Sequence, residues 1–181
     1  MFTEGDESAN KWYNQDGEEE KDGEVVSMTQ DTIFSKAELI AKLQNFIEII
    51  KNNDSIVALY LFGSYVSGRP TPLSDIDLAV LFAKSVNREL FLSERLRLLG
   101  ELTIILGTDK IDLVVLNEAP PGLGYRVIRD GELLFTGNNS DNQVVDFKVK
   151  TLDRYFDYQS AQRIFSEGLA RRIQEGGFGG R

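Results

Sequence analysis

The chain has 181 residues, 41% of them hydrophobic, and a formal net charge of −9, which suits one domain with a real core. It contains no cysteine and no histidine, which excludes disulfides, thiolate nucleophiles, Ser-His-Asp catalysis and zinc held by thiolate or imidazole. Chemistry is left to carboxylates, hydroxyls, lysine, arginine, tyrosine and hard metal ions.

Residues 1–31 carry 10 acidic and 2 basic side chains, so the rest of the chain, with 19 acidic against 18 basic, is nearly neutral. The acidic balance therefore belongs to the N-terminal segment. Its composition buries too little apolar surface to fold, and we read it as disordered. The body carries no basic excess of the kind that follows a nucleic-acid backbone, so no direct nucleic-acid contact is expected. No apolar run approaches the ~20 residues that span a bilayer. The N-terminus also lacks the apolar centre of a signal peptide. A cytoplasmic location is the expectation.

Ser35-Lys36-Ala37-Glu38 has the form of a capping box. The helix it opens repeats Leu39, Leu43, Phe46 and Ile50 at helical spacing and ends at Asn52-Asn53-Asp54. Two apolar runs follow, Ile56 to Phe62 and Leu78 to Phe82. Both read as strands, being short, rich in Val, Leu, Ile and aromatics, and bounded by Gly, Ser and Pro. Gly63-Ser64 ends the first, and ten residues separate it from Asp75-Ile76-Asp77 at the start of the second.

Side chains alternate along a strand, so Asp75 and Asp77 point the same way. Two carboxylates this close repel unless a cation lies between them. Oxygen ligands of this type suit Mg²⁺, which is usually bound by one or two carboxylates and substrate phosphates. Gly63 allows a sharp turn with no Cβ in the path of a ligand. The N–H groups of such a turn can face an anion, and the Ser64 hydroxyl adds a donor. Tyr65-Val66-Ser67 reads as one helical turn, and Gly68-Arg69-Pro70-Thr71-Pro72 as a loop. Arg69 is the cation nearest the motif in sequence.

Asn87 to about Leu106 reads as a helix with Phe91, Leu98, Leu102 and Ile105 on its core side. Asp112 then opens the strand-like run Ile111 to Leu116. Beside the strand of Asp77 it would bring a third carboxylate to the pair, an arrangement suited to two metal ions and in-line phosphoryl displacement. Lys84 and Lys110 flank these strands as candidates to meet phosphate. Leu123 to Asp130 is expected as a short helix and Glu132 to Phe135 as a small strand. Ser140, with Gln143 at the capping-box position, starts a last helix with Val145, Val149, Leu152, Phe156, Phe165 and Leu169 at helical spacing. Its Tyr155, Tyr158, Phe165, Arg163, Arg171 and Arg172 are residue types favoured at interfaces. The expected division is therefore a disordered segment 1–31, a core 32–139, a helix 140–175 that docks a partner, and a flexible tail 176–181.

Gly63-Ser64, ten residues, Asp75-x-Asp77 and then Asp112 on a later strand resemble the nucleotidyltransferase superfamily of DNA polymerase β, over roughly residues 35–137. Without added palm-thumb or RNA-binding domains, the chain most resembles the minimal nucleotidyltransferase (MNT) antitoxins encoded beside HEPN-domain ribonuclease toxins. The resemblance implies an α+β fold, a small mixed β-sheet with helices packed on it and a long C-terminal helix. It implies that Gly63 and Ser64 bind the nucleoside triphosphate, that Asp75 and Asp77 bind two Mg²⁺ ions, and that Asp112 is the third ligand and helps deprotonate the attacking hydroxyl. It further implies transfer of AMP from ATP to a tyrosine of a HEPN toxin. Two other readings stay open: transfer of a nucleotide to a small hydroxyl compound, as in aminoglycoside nucleotidyltransferases, and a binding-only antitoxin acting by occlusion. A calcium-loop reading of the Asp-rich stretch lacks the glycine and distal glutamate it needs.

Overall fold

A computed structural model describes residues 34–174. The segment 1–31, read above as disordered, and the tail 176–181, read as flexible, lie outside the described residues. In chain order the elements are α1 (Lys36–Ile50), β1 (Ile56–Phe62), α2 (Ser64–Ser67), β2 (Ile76–Phe82), α3 (Phe91–Leu106), β3 (Ile111–Val115), α4 (Pro121–Asp130), β4 (Glu132–Thr136) and α5 (Asp141–Gln174). The helix expected from Asn87 begins as a 3₁₀ turn, Arg88–Leu90, started by the Asn87 side chain accepting from the Glu89 N–H.

The strands form one mixed sheet in the order β3-β2-β1-β4. β1 pairs antiparallel with both β2 and β4, while β2 and β3 run parallel. This is the α+β arrangement the resemblance implied. Alternation along each strand sends side chains to two faces. On one face Leu59, Leu61, Leu78, Val80, Leu113 and Val115 pack against Leu39, Leu43 and Phe46 of α1 and Leu98 and Leu102 of α3. On the other, Tyr60, Ala79 and Leu81 pack against Val127 of α4 and Val144 of α5. With both faces covered, β1 and β2 read as the near-continuous apolar runs seen in the sequence.

The capping box on α1 is formed: Glu38 N–H donates to Ser35 Oγ at 3.2 Å, and Ser35 N–H donates to Glu38 Oε2 at 2.8 Å. The corresponding box expected at α5 is not formed. The Ser140 hydroxyl donates to the Asn138 carbonyl at 3.3 Å, and Gln143 Oε1 accepts from the Lys84 N–H at 3.5 Å. The first turn of α5 is instead fixed from its backbone, Val144 N–H donating to the Ser140 carbonyl at 3.0 Å.

α5 is one unbroken helix of 34 residues, about 51 Å long at 1.5 Å per residue. It meets the body through its first half. Val144 and Thr151 are buried, whereas Val145, Val149 and Phe156 are more than half exposed. Helical spacing offers two stripes here, and the choice lies with α4. Gly124 leaves room for Thr151, since a Cβ on Gly124 would lie 3.0 Å from Thr151 Cγ2. One turn later the rings of Tyr125 and Tyr155 stack with centroids 3.9 Å apart. Every residue from Phe156 to Gln174 is exposed. Among the described residues, no helix is long and apolar enough to cross a membrane.

Candidate active site

The site forms where β1 ends and β2 begins. β1 runs into Gly63, whose φ of 73° lies in the region that favours glycine. The position also excludes a side chain on steric grounds. A Cβ there would fall 1.9 Å from Asp77 Oδ2 and 2.7 Å from Asp77 Cγ. The Gly63 backbone is therefore pressed against the Asp77 carboxylate, as the pairing of Phe62 with Asp77 across the β1–β2 ladder requires. One short turn, α2, follows, and Gly68 closes it in the left-handed conformation.

Asp77 pairs in register with Asp112 on the parallel strand β3. Paired residues on neighbouring strands lie about 4.8 Å apart and send side chains to the same face. That is the α4/α5 face, because Leu78 and Leu113, the next residues along, fill the other core. Asp75 precedes β2 by one residue and is exposed, Asp77 is half-buried, and Asp112 is exposed at the sheet edge. Burial pushes the Asp77 carboxyl above its ordinary range, and the neighbouring Asp112 and Asp75 charges push it further in the same direction. The Ser64 N–H, which faces this carboxylate, acts against them.

The hydroxyl of the same residue is left without a partner. Ser64 Oγ is buried and has no hydrogen-bond partner among the described residues. A buried hydroxyl without a partner is costly. Together with the exposed Gly63 backbone beside the Asp77 carboxylate and the hard oxygen donors of the three aspartates, it suits an anionic ligand that carries a hard divalent cation. The three carboxylates are not already gathered around one point: among the described residues, no group of three acidic side chains meets the geometry of a preformed metal site. Arg95 of α3 lies beside Asp112, its Nη2 3.6 Å from Asp112 Oδ1.

The cations singled out in the sequence fall elsewhere. Lys84 lies beyond the opposite end of β2 and pairs with Asp146 of α5. Lys110 sits at the site end but donates to the Pro72 carbonyl at 3.3 Å, tying down the loop before β2. Arg69 is exposed after α2. Arg95, which does meet a carboxylate, carries no signal in the sequence, since sixteen residues separate it from Asp112 and only the packing of α3 beside β3 joins them. Tyr155, expected to face a partner, is committed to the stack on Tyr125.

Residues 44–140 match the family described as Polymerase beta, Nucleotidyltransferase. The chain is 33% identical over 124 residues to the protein adenylyltransferase MntA of Shewanella oneidensis, covering 68% of this chain and 84% of that protein. A solved toxin–antitoxin structure with AMP-PNP is similar, at 30% identity and a TM-score of 0.55 over 72% of this chain and 98% of the other. An MntA–HepT toxin–antitoxin structure matches at 27% identity and a TM-score of 0.50, over 72% of this chain and 96% of the other. The sequence match spans the whole motif from Gly63 to Asp112, and with the fold and register that carry it, the chain belongs to the polymerase β nucleotidyltransferase family.

Proposed function

We propose that this chain is the antitoxin of a HEPN/MNT pair and a protein adenylyltransferase that moves AMP from ATP to a tyrosine of its HEPN ribonuclease partner. The observation that carries this reading is the corner where Gly63, the unpaired Ser64 hydroxyl and the in-register Asp77 and Asp112 meet. The similarity to a protein adenylyltransferase and to toxin–antitoxin structures supports the choice of acceptor.

In this reading Asp75, Asp77 and Asp112 hold Mg²⁺, with two ions as the expected number. Bound there, the metal offsets phosphate charge and makes the acceptor hydroxyl more acidic. Gly63 gives the triphosphate access to the backbone, and the Ser64 hydroxyl donates to a phosphate oxygen. Asp112 takes the proton from the tyrosine hydroxyl. The phenolate oxygen then bonds to the α-phosphorus while the bond from that phosphorus to the bridging β-oxygen breaks, and pyrophosphate leaves in line.

Partner docking is assigned to residues 140–175. From Phe156 onward this helix has no packing of its own, and Ile164, Phe165 and Ile173 are 67%, 71% and 61% exposed. Helices without tertiary support are marginal in water, and clustered exposed apolar side chains mark interaction surfaces. A HEPN toxin packing on this stretch supplies the missing partner.

The test is intact-mass spectrometry of the cognate toxin after incubation with this protein, ATP and Mg²⁺. A gain of one or more AMP units, absent with an Asp75→Asn/Asp77→Asn protein, is expected. An unmodified toxin in a stable complex would instead assign neutralisation to binding alone.

A further inference from the structure

We propose that Arg95 is a positioning residue for the third carboxylate: it holds Asp112 while no metal ion is bound and competes with the ion for it. The inference rests on Asp112 being a metal ligand, as proposed above.

Arg95 lies on α3, which packs on the face opposite the carboxylates. Its side chain reaches β3, the edge strand of the sheet. There Nε donates to the Leu113 carbonyl, a backbone acceptor at an edge that has no further strand to pair it. This bond fixes the guanidinium plane, and the second arm of the fork faces Asp112. The separation of 3.6 Å between Nη2 and Asp112 Oδ1 is longer than a hydrogen bond. The two side chains are 37% and 51% exposed. Arg95 is therefore anchored firmly at the backbone and only loosely at the carboxylate, so its grip on Asp112 can be lost without displacing the arginine.

The neighbouring groups give this pairing its consequence. Asp77 stands in register with Asp112 on the neighbouring strand. Like charges this close are disfavoured. The Arg95 pair offsets one of the three charges and turns Asp112 outward, consistent with the absence of a preformed three-carboxylate cluster among the described residues. A divalent cation entering beside Asp77 attracts Asp112 more strongly than a half-exposed guanidinium does, and Asp112 changes partner.

Mn²⁺ titration of the full chain, followed by electron paramagnetic resonance without nucleotide, tests this. Arg95→Gln removes the competitor and should tighten Mn²⁺ binding about three- to fivefold, the range of a partly exposed ion pair. Arg95→Lys retains the charge and should stay within about twofold of the parent. Both variants lose the forked contact with Leu113 and should lower the melting temperature in EDTA by similar amounts, so a merely structural role would not separate them. In an Asp112→Asn background, Arg95→Gln should leave Mn²⁺ affinity unchanged. Unchanged or weaker Mn²⁺ binding by a folded Arg95→Gln protein would overturn the inference. If that occurs while Asp77→Asn still abolishes binding, the reading of the site stands and only the role of Arg95 falls. A parent protein that binds no Mn²⁺ would overturn both.

Discussion

The corner around Asp77 and the outer half of α5 are held by opposite means. At the corner, a carboxylate is fixed by strand register on two sides, with Phe62 across one ladder and Asp112 across the other. Little can move there, and the cost appears as an Asp77 carboxyl whose proton affinity is raised by burial and by the neighbouring Asp112 and Asp75 charges. Along α5 beyond Tyr155, no side chain is buried. The contacts that remain run along the helix itself, such as Gln159 Nε2 to Tyr155 Oη at 2.8 Å and Gln162 Nε2 to Tyr158 Oη at 3.1 Å. The comparison teaches that the stability of this fold and its candidate chemistry share one corner, whereas its candidate binding surface lies where stability has no stake.

The largest expected effect comes from breaking the corner. Gly63→Ala places a methyl group on Asp77 and forces an L-residue into left-handed backbone. We expect a loss of about 1–3 kcal/mol in stability by urea denaturation, together with loss of AMP transfer. Gly68→Ala is the matched control. Its φ is also 73° but nothing lies within 4 Å, so it should show only the smaller backbone cost, about 1 kcal/mol. Equal losses in the two variants would mean that the contact with Asp77 is not what fixes Gly63.

A subtler change sharpens the electrostatic half of the comparison. The folded state raises the proton affinity of Asp77, mainly through burial and then through Asp112 and Asp75. Its contribution is therefore full below the unfolded carboxyl value, about 3.9, and is lost as pH rises through the raised folded value. In EDTA, Asp77→Asn should accordingly gain in melting temperature relative to the parent as pH increases from about 3.9 toward neutrality. The difference between the two proteins is the quantity to read, because Glu38 and Asp146, held below their ordinary values by Ser35 and Lys84 respectively, act in the opposite sense. A difference that stays flat across that range would show that the crowding is relieved by other means.

The smallest expected effect on stability lies at the far end. Deleting residues 160–181 should change unfolding free energy by less than about 0.5 kcal/mol, lower the helical signal in circular dichroism, and abolish complex formation with the cognate toxin in size-exclusion chromatography. A complex that survives the deletion would move the docking surface back toward the body.

Local sequence determined much of this protein. The Ser35–Glu38 box started α1 because both partners of a capping box lie within one turn. The apolar runs of β1 and β2, and the breaks at Gly63 and Gly107, follow from propensity and backbone freedom at those residues. The chemistry open to the chain was bounded by the absence of Cys and His, and Asp75, Asp77 and Asp112 stood out through their combination with Gly63-Ser64 at a ten-residue interval on apolar runs. Tertiary structure decided what lies between distant segments. The parallel register that sets Asp112 opposite Asp77, the reach of Arg95 to an edge carbonyl, and the choice of Val144 and Thr151 over Val145 and Val149 all depend on which surfaces meet. Periodicity along one helix carries no information about its neighbour. Where two stripes were equally regular, a missing side chain at Gly124 and a ring at Tyr125 selected one, and the other was left facing solvent.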